Sequence, residues 1–164
     1  MSKELLLEIG AEEIPAGFVP KALASIDEMI RKELEAARLS FDAITTMGTP
    51  RRLTLHIKGL PTIQPDAELT AMGPSKKAAF DADGKPTKAA EGFARGQGVD
   101  VSALQVISTD KGEYLAVTRQ ETGRPTHELL AEILPRLVSG IPFKKSMRWA
   151  DLDVRFARPV HWII

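Results

Sequence analysis

The 164-residue sequence contains no cysteine, which excludes a disulfide framework, a thiolate nucleophile and every cysteine-ligated zinc or iron–sulfur site. Aromatic residues make up only 5% of it, and neither sign of charge prevails, with 22 Lys plus Arg against 22 Asp plus Glu. A net charge of zero gives no global attraction to nucleic acid or to an anionic membrane, so an electrostatic partner has to be met by a local patch. No apolar run approaches the roughly 18 residues needed to cross a bilayer. The N-terminus carries acid where a secretory signal carries positive charge. Together these features predict a cytoplasmic protein. What is present is an ordinary globular mixture, 43% hydrophobic and 27% charged, in a chain long enough for one core or two small ones. The expectation is a single domain over 1–164, or that domain drawn into two lobes.

The apolar run Leu5-Leu6-Leu7, ending at Ile9 and closed by Gly10, reads as a buried strand over 3–9. From Phe18 the apolar positions fall three or four apart through Leu23, Ile26, Ile30, Leu34 and Ala37. This period predicts an amphipathic helix, with Pro20 tolerated in its first turn. Strands are predicted over 41–47 and 53–57, and a weaker one over 67–72. Thr87 is placed to cap a short helix over 88–95 that stops at Gly96 and Gly98. Segments 105–108 and 113–118 read as a hairpin around Thr109-Asp110-Lys111-Gly112. Thr126 begins a second long helix, whose apolar face includes Leu129, Leu130, Ile133, Leu134 and Leu137 and which Pro135 should kink. Strand pairs recur between helices, so the predicted class is α+β: a mixed or mostly antiparallel sheet packed against two long helices. The sequence stops inside the strand-like run 160–164, which predicts a piece of a longer polypeptide.

No catalytic constellation is visible. Glu12 and Glu13 could form a carboxylate pair, but their position just before a helix favours a role in complementing its dipole. Asp81-Ala82-Asp83-Gly84 reads as a turn, because its spacing fails that of a calcium loop. His56, His127 and His161 lie far apart and have no partner at a zinc spacing. Gly92, Gly96 and Gly98 match no phosphate-binding loop. The remaining candidates are basic: Arg51, Arg52, Lys76, Lys77, Arg95, Lys144, Lys145, Arg148, Arg155 and Arg158. Together with Lys85 and Lys88 they could line a groove that neutralises an RNA backbone, with Phe143 and Trp149 as stacking faces. The plainer reading is that these charges cover ordinary solvated faces.

Several phrases, taken together, resemble one family. They are Leu5-Leu-Leu-Glu-Ile-Gly-Ala-Glu-Glu-Ile-Pro15, Thr49-Pro-Arg-Arg-Leu53, Gly73-Pro-Ser-Lys-Lys-Ala-Ala-Phe80 running on to Gly84, Thr87-Lys-Ala-Ala-Glu-Gly-Phe-Ala-Arg-Gly96, Lys111-Gly-Glu-Tyr-Leu115, Met147-Arg-Trp149 and Arg158-Pro-Val-His-Trp162. In this order along almost the whole chain they resemble the N-terminal part of the β subunit of bacterial heterotetrameric glycyl-tRNA synthetase. The resemblance implies a share in ATP-dependent attachment of glycine to its tRNA, within an assembly of two α and two β chains. It places ATP, with its magnesium, at the α subunit and carries no catalytic, cofactor-binding or metal residue onto this chain. The expected partners are therefore the α subunit, a second β subunit and glycine tRNA. The chain is expected to be inactive alone and to act by docking the α subunit, by positioning tRNA, or by both. The rival is a purely structural module of the β chain that touches no RNA. An independent editing-like hydrolase ranks last, because no nucleophile or poised acid–base pair supports it.

Overall fold

A computed structural model describes residues 2–81, 84–110, 112–148 and 151–164. The chain divides into two compact units, Met1–Pro65 with Gly123–Ile164, and Asp66–Thr122. The class is α+β, and every strand pairing among the described residues is antiparallel.

The first unit is built on strands β1 (Ser2–Ala11), β2 (Ala43–Thr49) and β3 (Arg52–Pro61), with β9 (Val160–Ile163) added at the edge, in the order β2-β3-β1-β9. Helix α1 (Val19–Ala36) connects β1 to β2, and helix α4 (Thr126–Gly140) precedes β9. In chain order this is strand, helix, two strands, helix, strand with β3 inserted between β1 and β2, the split β-α-β arrangement of ferredoxin-like sheets. The helical period does what the sequence predicts. Ala22, Ile26, Ile30 and Leu34 are the buried positions of α1, and Leu129, Ile133 and Leu137 are buried along α4. They share one hydrophobic cluster with Leu7 and Ile9 of β1 and with Leu53, Leu55 and Ile57 of β3. The outer face of α1 is tied by ion pairs one turn apart, Arg31 to Asp27 at 2.8 Å and Lys32 to Glu28 at 2.7 Å.

Helix α1 ends in a left-handed residue, Arg38, at φ 54°. Leu39 N–H donates to the Leu34 carbonyl, and Arg38 N–H to that of Glu35, the paired bonds that satisfy orphan carbonyls at a helix C-terminus. Helix α4 continues through Pro135. Ala131, whose carbonyl loses its helical partner there, and Pro135 itself are both exposed, so water can take the missing donor's place. Thr126 does not cap α4; its hydroxyl donates to the Pro61 carbonyl at 2.6 Å.

The chain leaves the first unit after Pro65 and returns at Gly123, and these two ends are fastened to each other within that unit. Gln64 N–H donates to the Arg124 carbonyl at 2.9 Å, Thr126 N–H donates to the Thr62 carbonyl at 3.0 Å, and Ile63 forms a bridge with Pro125. The buried Gln64 side chain donates to the Ala37 carbonyl at 2.7 Å and accepts from Arg124 N–H at 3.3 Å.

The second unit has its own sheet, β4 (Ala67–Ser75), β5 (Gln105–Thr109) and β6 (Gly112–Glu121), in the order β4-β6-β5. Helices α2 (Lys76–Ala79) and α3 (Lys88–Gln97) accompany it. Thr87 caps α3 as predicted, accepting from Ala89 N–H at 3.3 Å, and Gly98 closes it at φ 65°. The core is small: Ala79, Ala90 and Leu115 are buried together, with Phe80, Phe93 and Leu104 partly buried against them. The α2 turn and the short pair β7 (Met147–Arg148) and β8 (Arg155–Phe156) were not anticipated, being too short to show a period.

Candidate interaction surface

Antiparallel strands with helices on one side leave the other side of the sheet open. In β1 the odd positions Leu7 and Ile9 point to the helices, so Leu6 and Glu8 take the opposite face. The sequence suggested that the whole Leu5-to-Ile9 run is buried. Leu6 is instead 57% exposed, because no helix among the described residues covers its side of the sheet. Cross-strand register carries the same face outward: Leu6 lies opposite His56, Glu8 opposite Thr54, and Thr54 opposite the exposed Met47 of β2. Ile164, exchanging backbone hydrogen bonds with Glu8, adds another exposed apolar side chain.

Two acids on this face have partners. His56 Nε2 lies 2.8 Å from Glu4 Oε2. Trp162, opposite Gly10 in β9, lays its indole over the glycine where a β-carbon would otherwise stand. Its Nε1–H donates to Glu8 Oε1 at 3.1 Å, and the Arg52 guanidinium sits 5.8 Å from the ring centroid and 3.8 Å from Glu8 Oε2.

At the end of this sheet three distant segments meet around an open cavity of about 510 Å³, lined in part by Glu12, Glu13, Pro50, Arg158 and Pro159. Backbone bonds hold them there: Ala11 N–H to the Arg51 carbonyl, Ile14 N–H to that of Pro50, and Glu12 N–H to that of Pro159. The expected role of Glu12 and Glu13 at the dipole of α1 is not observed, since no acid occupies its first turn. A 3-10 turn at Ala16–Phe18 intervenes. Glu12 instead faces His161 at 3.1 Å, and the Glu13 carbonyl accepts from Arg158 Nε at 3.2 Å. Three of the phrases that carry the family resemblance, those holding Glu12, Pro50 and Arg158, thus come together in space.

The predicted basic residues fall into two sets. Arg51, Arg52, Lys144, Lys145, Arg148, Arg155 and Arg158 belong to the first unit, and Lys76, Lys77 and Arg95 to the second, as do Lys85 and Lys88. Arg148 is committed to its own hairpin, bonded to Asp153 at 2.7 Å and to the Leu152 carbonyl at 2.8 Å. Lys76 pairs with Glu113 at 3.0 Å. Lys77 and Arg95 are exposed, Arg95 in the last turn of α3. Lys144, Lys145 and Arg155 are exposed and form no ion pair among the described residues. Of the two proposed stacking rings, Phe143 is half-buried edge-on against Phe156, with centroids 4.9 Å apart, and Trp149 lies outside the described residues. Among the described residues, no group of three His, Asp or Glu side chains is placed to hold a metal ion. None of the described helices is long and apolar enough to cross a membrane. The open sheet face and Trp162's seat on Gly10 were missed by sequence reasoning; the only signal was the even positions of a strand read as wholly buried.

The family described as glycyl-tRNA synthetase beta subunit matches residues 5–164. The glycine–tRNA ligase beta subunit of Trichlorobacter lovleyi is 94% identical over 164 residues, that of Geobacter metallireducens 70% over 162, and that of Syntrophotalea carbinolica 61% over 164. These alignments cover 99–100% of this chain and 24% of each relative. The chain therefore spans about a quarter of the length of the curated relatives it matches.

Proposed function

The chain belongs to the glycyl-tRNA synthetase beta-subunit family, and from that membership we propose that it serves glycyl-tRNA synthesis by positioning, supplying a docking face and no reacting group. ATP chemistry, with its magnesium, is assigned to the α subunit. Holding two reactants in register lowers a barrier through orientation alone. The observation that carries the reading is the open sheet face, where Leu6 and Met47 are each at least half exposed beside a Glu8 carboxylate already held by Trp162 and Arg52. Such a face gains by covering its apolar area. The occupant proposed is the synthetase α subunit.

A second reading, contact with the glycine tRNA, is favoured by Lys144, Lys145 and Arg155, which are exposed and have no acidic partner among the described residues. Arg148 contributes less, because Asp153 already neutralises it. Both readings are tested in the full-length β subunit over a salt series. Leu6→Asp with Met47→Asp is expected to weaken α-subunit binding at least tenfold and leave tRNA affinity unchanged. Lys144→Glu with Lys145→Glu is expected to do the reverse and to flatten the salt dependence of tRNA binding. If neither pair of substitutions alters either affinity, the chain is a structural module of the β subunit, the rival reading.

A further inference from the structure

Between the start of α1 and the segment following α4, within the first unit, a cavity of about 280 Å³ is lined by Gly17, Phe18, Lys21, Pro142, Phe143 and Lys144. Its composition departs from that of the chain. Acids are as frequent as bases in the sequence, yet no acid stands on this lining and both charged residues are lysines. Lys21 and Lys144 are exposed and form no ion pair among the described residues, while Phe18 and Phe143 are both half-buried. Phe143 is steadied by its edge-on contact with Phe156, so its ring is a fixed wall.

The chemistry of these walls selects a ligand. Aromatic side chains favour a flat π-system over an aliphatic group of equal area. Two ammonium groups on a lining that holds no carboxylate favour an anion attached to it. The volume lies just under the roughly 300 Å³ at which small-molecule pockets begin, which suits one ring with one phosphate and is too small for a dinucleotide. We propose that this cavity receives a single unstacked nucleotide of an RNA chain, its base against Phe18 and Phe143 and its phosphate between Lys21 and Lys144. Single-stranded RNA is held in this way elsewhere, by stacking on aromatic side chains beside a basic track. The proposal rests on the tRNA-contact reading and adds to it a contact that salt does not screen.

The test uses the full-length β subunit with its α partner, and measures glycine tRNA binding over a salt series for four variants. Lys21→Glu and Lys144→Glu are each expected to weaken binding and to reduce the slope of log affinity against log salt by about 0.7 to 0.9. Phe18→Leu is expected to weaken binding about fivefold or more with the slope unchanged, and Phe18→Tyr, which keeps the ring, to restore it. In parallel, tRNA carrying 4-thiouridine is irradiated, and the cross-linked peptide is expected to contain Phe18 or Phe143. Adenosine monophosphate is titrated separately as the free-nucleotide probe. Binding of tRNA that all four variants leave intact overturns the nucleotide site while the tRNA reading stands. Failure of the unmodified protein to bind tRNA overturns both. Adenosine monophosphate binding that Phe18→Leu abolishes, with tRNA affinity unmoved, overturns the RNA assignment in favour of a free nucleotide.

Discussion

At Gly10 the Trp162 indole occupies the space of a β-carbon, so Gly10→Ala forces the ring off the sheet together with its bond to Glu8 and its stack under Arg52. Overpacking of this kind costs about 1–3 kcal/mol. Urea denaturation should show that loss, and acrylamide should quench the displaced indole more strongly. Gln64 tests a different force. Only 8% exposed, it satisfies the Ala37 carbonyl and the Arg124 N–H at once. Gln64→Leu therefore takes the partner from two part-buried backbone groups, at up to about 1–3 kcal/mol each, and should lower the urea midpoint. Residues of this kind divide sharply in how legible they are. Gly98 announces the end of α3 because glycine is the residue that enters the left-handed region freely. Arg38 ends α1 with the same pair of backbone bonds and announces nothing, since the penalty for its side chain is outweighed by the burial of Leu39 beyond it. Gln64 and Trp162 were illegible for another reason: their partners lie 27 to 154 positions away in the chain.

Elements show the converse. The periods of α1 and α4 and the alternation of β3 were readable because burial on one side imposes a repeat on the sequence itself. The side of the sheet left uncovered was not, because Leu5-Leu6-Leu7 looks the same whether one face or both are buried. The candidate surface was correspondingly half legible: its basic residues were named from type, but their division between two units and the pairing of Arg148 with Asp153 depend on the fold. At the entrance to α4, Arg124 Nη2 bonds Glu132 at 2.6 Å. This hydrogen bond, reinforced by the charge of Arg124, holds the Glu132 carboxyl below its ordinary value of 4.5. A depressed carboxyl stabilises the fold above that ordinary value and loses its contribution as pH falls through the lower folded-state value. The stability difference between the native chain and Glu132→Gln is therefore expected at neutral pH and to vanish on acidification below that range. Urea midpoints followed from neutral pH down through the carboxylate range measure it, and the exposure of the pair keeps the effect small.

Over the whole molecule, the two units differ in what holds them. The first buries a continuous cluster that includes Ile9, Ile26, Ile30, Leu34, Leu53, Leu55 and Ile57, whereas the second has the smaller cluster of Ala79, Ala90 and Leu115, with Ala94, Ala116 and Val117 also buried. Local opening follows buried apolar contact. Hydrogen exchange should therefore run faster in the amides of β4 to β6 than in those of β1 and β3, with a gap that mild denaturant narrows only in the second unit. Because Gln64 and Arg124 close the neck within the first unit, replacing 66–122 by a short Gly-Ser link should leave its circular dichroism and cooperative melting intact. The same neck sets an order of events during synthesis. Strands β1 to β3 emerge from the ribosome before α4 and β9 exist. At about 5–20 residues per second, several seconds pass while Asp66–Thr122 is made. For that interval the nascent sheet has α1 alone to shield it and the edge of β1 stands unpaired. A chain stalled within the second unit is thus the form most in need of a chaperone.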